Sequence, residues 1–327
     1  MHITTTGQIF HEEENSPFSS PGVQFAWDST SLGYFKECPR KYYYTMIEGW
    51  RGGGSSVHLE FGGLYHSGLE LYDHRRAEGA THDRAQFDMV RWALAATWVG
   101  EAVTEHGEVI PAHPLDWGHN LKNRFNLIRS LVWYTEQFRD DPAQTVILNN
   151  GKPAVELSFR FDAGDGILLC GHLDRVVEWN GSKFVMDRKT TTSTISSYYF
   201  NNYTPDNQMT LYTLAGRVIL NSPVRGVIID AAQIAVGFTR FERGMVYRTD
   251  EQLEEWLSQT KTYIQTAQHY GHMSLKIGES AFPMNDKACH NYGGCPFRDI
   301  CGSDPRVRQT FLESNFRRDP WNPLKTR

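Results

Sequence analysis

The dipeptide Asn180-Gly181 constrains this chain more than any other pair of residues in it. A two-residue type I′ turn needs positive φ at both positions, which Asn and Gly tolerate, and short strand-like runs flank the pair on both sides. With those residues as the loop, Trp179 faces Ser182, Glu178 meets Lys183, Val177 meets Phe184 and Val176 meets Val185. These are sensible partners, one of opposite charge and two apolar. Carried outward, the same register sets Asp174 directly opposite Asp187. Facing Cβ atoms lie about 4.5 to 5.5 Å apart, where like charges repel. Lys189, two residues beyond Asp187, projects from the same face. A divalent cation offsets the repulsion better than one flexible ammonium, and oxygen donors at that spacing suit magnesium or manganese. The bland alternative is a solvated hairpin face on which charges coincide. A slip of one residue would send the carboxylates to opposite faces, so the expectation hangs on the turn.

Around this hairpin the pattern is α/β. Residues 155–162, 167–179 and 183–189 alternate as strands, and 225–236 and 238–247 read as two more. Thr204 precedes Pro205, which predicts a helix with Pro at its first position running to about Leu220. Thr249 and Gln252 form a capping box for a long helix ending near Tyr270. Upstream, a helix starts with Ser29 or Ser31 as its cap, breaks at Pro39 and resumes over 40–47; another, over 61–76, carries His66. The Trp-rich stretch 83–138 has the spacing of two or more helices. The expected layout is a loose polar arm (1–28), one domain (29–312) with a helical insertion at about 80–145 and a cysteine segment at 285–303, then a polar tail (313–327).

Composition narrows the function classes. With 40% apolar and 22% charged residues and no apolar run near the ~20 residues of a membrane span, a globular protein outside the membrane is expected. The N-terminus carries Glu12, Glu13 and Glu14 where a secretory signal would be basic, so a cytoplasmic protein is expected. The net charge of −5 supplies no global attraction for nucleic acid, leaving local patches or metal ions. No phosphate-binding Gly-x-x-x-x-Gly-Lys motif occurs, so any ATP-driven translocation belongs to a partner.

The segment GHLDRVVEWNGSKFVMDRKT (171–190) resembles the core of RecB-like nucleases, a branch of the PD-(D/E)XK superfamily. The resemblance implies a restriction-endonuclease-like mixed sheet flanked by helices. It implies metal binding by Asp174 and Asp187, and support of the attacking water and the charged phosphate by Lys189. GGLYHSGLE (62–70) is similar to the family's upstream helix, whose His, here His66, completes the metal site. The family's Gln-x-x-x-Tyr is matched by Gln208 and Tyr212, which i, i+4 spacing puts on one helix face. The family often has a Glu in the preceding strand, which makes Glu156 a further candidate. The turn at 163–166 can close with two, three or four residues, and only the three-residue version sets Glu156 opposite Asp174.

Five cysteines, an odd count, argue against a disulfide framework. Cys170 lies in an apolar strand and reads as core. Cys38, Cys289, Cys295 and Cys301 resemble the set that holds a 4Fe-4S cluster in CRISPR-associated and AddB-type exonucleases, although the last three are separated by five residues in both gaps. Zinc suits four thiolates as well. Beside Cys38, the run Arg40, Lys41, Tyr42, Tyr43 and Tyr44 either grips single-stranded DNA or packs on the core. The resemblance implies a manganese- or magnesium-dependent deoxyribonuclease. It would act on single-stranded DNA or DNA ends in recombination, repair or phage DNA processing, alongside a helicase or an integration partner. The alternatives are a non-cutting DNA-binding or assembly module and a CRISPR-adaptation-like end-processing factor.

Overall fold

The computed structural model describes residues 16–53, 56–104, 106 and 108–325. The chain divides into two units. One takes Ser55–Leu157 and Leu173–Arg248; the other takes Met1–Gly54, Ser158–His172 and Thr249–Arg327.

The first of these, the sheet unit, holds strands in the order β1 (Ile167–Trp179, from Leu173 onward), β2 (Ser182–Thr191), β3 (Val224–Ile234) and β4 (Thr239–Tyr247). The pairs β1–β2 and β3–β4 are antiparallel and β2–β3 is parallel, so the sheet is mixed. Asn180 (φ +48°) and Gly181 (φ +68°) close the first hairpin. Its ladder pairs Trp179 with Ser182, and so on to Arg175 with Met186, in the register the turn predicts. β3 is an interior strand, and its run of buried Val227, Ile228, Ile229, Ala231 and Ala232 is what a strand covered on both faces needs.

Helices α1 (Val57–Ala77), α2 (His82–Ala96) and α3 (Arg124–Gln137) pack together. Phe61, Tyr65, Leu69 and Tyr72 of α1 meet Met89 of α2, Leu127 and Leu131 of α3, and Ala232, Ile234 and Phe241 of the sheet. The link from β2 to β3 runs through α4 (Asn207–Leu220). It begins two residues later than Pro205 predicts, because Asp206 caps it by accepting the Met209 N–H at 2.9 Å. The insertion also contains two tiny sheets, Trp98–Val99 with His113–Pro114 and Ala102–Val103 with Val109–Ile110; strands of two residues leave no periodicity to detect. The architecture is the α/β mixed central sheet flanked by helices that the sequence predicts.

In the other unit, residues 16–28 are folded rather than a loose arm; the arm's first 15 residues lie outside the described residues. Phe18–Ser20 pairs with Val23–Gln24, and Ala26–Trp27 runs parallel to Leu168–Leu169 of β1. The next helix, Ser29–Glu37, takes its cap from Asp28 instead of a serine: Asp28 accepts the Ser31 N–H at 2.8 Å, and Ser31 completes the box. Helix α5 (Asp250–Ile277) has the predicted Thr249–Gln252 capping box but continues past Tyr270. There it meets the N-terminal hairpin so closely that a Cβ on Gly271 would lie 2.2 Å from the Gly22 carbonyl. The tail is also structured, with Phe316–Arg318 paired to Trp50–Gly52 and Leu324 buried.

Candidate metal centre

Helix α1 carries His66 to the sheet. Its Nδ1 lies 3.2 Å from Asp174 Oδ2, and that oxygen also accepts the Arg188 backbone N–H at 2.9 Å. Asp174 thus joins α1 to the strand bearing Asp187. Among the described residues, one donor atom each of His66, Glu156 and Asp174 lie within 4.8 Å of one another. Asp187 stays outside that group, and its Oδ2 holds the Lys189 ammonium at 2.8 Å. The gathered trio therefore has Glu156 where the sequence reading expects Asp187, because Lys189 neutralises Asp187 directly.

Glu156 arrives by an unexpected route. The 163–166 turn closes with two residues, Asp165 (φ +61°) and Gly166 (φ +72°), the version that leaves Glu156 out of register. Glu156 itself takes φ +46°, leaving the strand conformation and turning its side chain toward His66 and Asp174. A non-glycine residue there stores of order 1–3 kcal/mol, a strain that clusters at ligand-holding positions.

Burial of Asp187 raises its carboxyl to about 6, since Lys189 only partly offsets the desolvation and the neighbouring Asp174 adds to it. Asp174 goes the other way: burial opposes ionisation, but the His66 imidazole and Lys189 hold it below the usual carboxylate range. Burial would lower His66, yet the Asp174 and Asp187 carboxylates raise it overall. Lys189 is likewise desolvated but held protonated by Asp187 and Asp174. Adjacent carboxylates pushed apart in this way mark a site built around charge.

Lys189 Nζ also donates to Gln208 Oε1 at 2.8 Å, and Gln208 Nε2 donates to the Tyr212 hydroxyl at 3.0 Å. The predicted Gln-x-x-x-Tyr pair thus sits on the first turns of α4 and orients the lysine. An imidazole and carboxylates form a donor set suited to manganese or magnesium. Ligand atoms around such an ion lie about 3 to 4.2 Å apart, so a group already inside 4.8 Å needs little movement.

The chain also contains a buried charge network that sequence reasoning missed. Arg188 Nη2 lies 2.6 Å from Asp73 Oδ2 on α1, Arg175 sits 3.8 Å from Asp73 and 3.6 Å from Asp141, and Arg243 makes a two-pronged contact with Asp141 at 2.7 and 2.8 Å. Tyr134 donates to Asp230. The signal was available: Asp-Arg occurs in both hairpin strands, and alternation sends each arginine to the face opposite its aspartate.

In the other unit, Cys38 stands at the break between two helices, and its Sγ accepts the Asn285 N–H at 3.3 Å. Cys295 and Cys301 border the apolar cluster of Tyr44, Trp50, Phe297, Ile300 and Leu312. Burial raises both thiols, Cys301 to about 11. Cys170 is fully buried, as a core residue should be. The alternative DNA grip at 40–44 resolves in favour of packing: Arg40, Tyr42 and Tyr44 are buried, Arg40 Nε donates to the Phe282 carbonyl and the Tyr44 hydroxyl to Glu279.

No curated protein matches the sequence. A solved structure from Eubacterium rectale, described as a candidate exonuclease, aligns with a TM-score of 0.45 at 13% identity, covering 91% of this chain and 100% of that one. The family model of the PD-(D/E)XK nuclease superfamily matches residues 28–302, a span holding the His66–Glu156–Asp174 group, the Asp187-x-Lys189 strand and the four spaced cysteines. By that match, over most of its length, the chain belongs to the PD-(D/E)XK nuclease superfamily.

Proposed function

We propose that this protein is a divalent-cation-dependent deoxyribonuclease that hydrolyses phosphodiester bonds, acting as an exonuclease on single strands or DNA ends. The observation that carries the reading is the convergence of His66, Glu156 and Asp174 beside the Asp187–Lys189–Gln208 chain. His66, Asp174 and Glu156 would hold the cation, with Asp187 joining as Lys189 turns to substrate. A cation held there supplies Lewis-acid polarisation of the phosphate and a lowered pKa for water. Lys189, kept protonated and aimed by Gln208, stabilises the negative charge that develops on the phosphate. Gln208 and Tyr212 fix its direction, and the Arg188 N–H fixes Asp174.

The four spaced cysteines are read as 4Fe-4S ligands. Besides burial, the Cys38 and Cys289 thiols raise that of Cys295, and those of Cys295 and Cys38 raise that of Cys301, so the four sulfurs lie near one another; zinc on the same four thiolates is the alternative. An amide donating to Cys38 sulfur also suits a cluster ligand. No helix among the described residues is long and apolar enough to cross a membrane. A cytoplasmic role in recombination or repair, with a helicase supplying any translocation, follows from the same reading.

The test is digestion of end-labelled single-stranded and duplex DNA with manganese, wild type beside Lys189→Ala. We expect wild type to cut, Lys189→Ala to lose at least about a hundredfold in rate, and EDTA to stop cutting. Full activity in EDTA would refute the reading.

A further inference from the structure

Helix α3 presents a stripe that the metal centre does not use. Phe125, Arg129 and Trp133 recur every four residues and share one face. Phe125 is 72% exposed and Trp133 42% exposed, large aromatic surfaces to leave in water. The Arg129 guanidinium lies 5.8 Å from the Phe125 ring centre and 5.3 Å from that of Trp133. It is pinned by donating to the carbonyls of Ala235, Val236 and Phe238. At the start of the helix, Arg124 lies 5.2 Å from the ring of Trp98, which is 41% exposed. Neither arginine has a carboxylate partner among the described residues.

Rigid exposed rings interleaved with uncompensated guanidinium groups fit an occupant with both flat faces and negative charge. An apolar protein partner would cover the rings and leave both cations without a counter-charge. Unpaired bases with their phosphates satisfy both. The stripe also begins in the right place. Lys122, just before α3, donates to Thr190 Oγ1 at 3.2 Å, and Thr190 directly follows Lys189. From Phe125 to Trp133 the helix rises about 12 Å, or roughly three to four nucleotides at 3.4 Å each.

We propose that the Phe125–Arg129–Trp133 stripe, with the Trp98–Arg124 pair at the start of the helix, is a stacking track for single-stranded DNA beside the metal centre. The proposal rests on the nuclease reading and names the strand state that the enzyme prefers. It also transfers the aromatic grip from residues 40–44, which are packed away, to the insertion.

The experiment measures binding of labelled oligothymidylate in EDTA, so that nothing is cut, with wild type, Phe125→Ala, Trp133→Phe and the Phe125→Ala/Trp133→Ala pair. The double variant should bind about 10- to 100-fold more weakly, with a smaller loss for blunt duplex, which offers no unpaired base. In wild type, oligothymidylate should quench tryptophan emission, and the quench should shrink in Trp133→Phe; this readout does not depend on a truncated variant folding. Affinity within about twofold of wild type, quenching unchanged in Trp133→Phe, or conversion of a wild-type oligomer to monomers by the double variant would each overturn the proposal. If wild type binds through the stripe but never cuts with manganese, the nuclease reading fails while the track stands.

Discussion

Removing Asp73 should do more damage than its distance from the proposed chemistry implies. Its carboxylate lies 2.6 Å from the Arg188 guanidinium, and both residues are buried, at 5% and 2% exposure. Truncation to alanine leaves the arginine charged in a site without its close partner, and losing one member of a buried pair costs about 3–5 kcal/mol. At roughly 2–4 °C per kcal/mol for a unit of the size of Ser55–Leu157 with Leu173–Arg248, the midpoint of that unit's thermal unfolding should fall by about 6–20 °C. Function should suffer as well, because Asp73 lies seven residues after His66 on α1, and Arg188 donates the backbone bond that holds Asp174. Loosening that tie should weaken manganese binding by about 10- to 100-fold, the usual effect of losing an outer partner of a ligand. The assay is a double-mutant cycle: Asp73→Leu, Arg188→Met and the pair, each by thermal melt and manganese titration. Because an apolar replacement of both charges avoids the orphaned cation, the double variant should recover most of the stability but not the metal affinity. Single variants costing under about 1 kcal/mol, or a double variant no better than either single, would refute the reasoning.

Lys122 gives a pH signature: burial pushes its ammonium down to about 8 from 10.5, so the unfolded chain binds this proton more tightly than the folded one. Its contribution to stability therefore rises with pH between about 8 and 10.5, and the slope should vanish in Lys122→Met when melts are compared across that window. Protein purified without air should carry about four irons per chain, and Cys301→Ser should lose most of that iron together with stability. Gly226→Ala places a Cβ 2.0 Å from the Val246 carbonyl and should destabilise by about 1–3 kcal/mol. Gly63→Ala, with nothing within 4 Å and a helical backbone, should stabilise by about 0.5–1 kcal/mol in the same denaturation series.

The turn at Asn180-Gly181 made the hairpin register readable because both residues adopt the conformation that only such residues take cheaply. That register, extended, put Asp174, Asp187 and Lys189 together. Glu156 could not be placed in the same way, since its position depends on a left-handed backbone at one non-glycine residue, and turn counting left its register open between three loop lengths. Which carboxylate gathers with His66 was equally hidden, because it depends on Lys189 choosing Asp187 in three dimensions. The aromatic run at 40–44 was ambiguous for a further reason: tyrosine serves a core and a binding face alike, and only packing partners such as Trp27, whose ring lies 5.3 Å from that of Tyr42, decide between them.

The unit holding the spaced cysteines takes Met1–Gly54 and Thr249–Arg327 together with Ser158–His172, and all of the sheet unit's sequence is translated between the first and last of these segments. Cys38 emerges early and Cys289 lies 251 positions later, about 10–50 s on at ordinary elongation rates. If the four cysteines hold the proposed cluster, delivery of iron and sulfide would have to wait until Cys301 has been made. A ribosome stalled before the last cysteines would release a chain able to complete its hairpin and carboxylates but not the proposed four-cysteine ligand set.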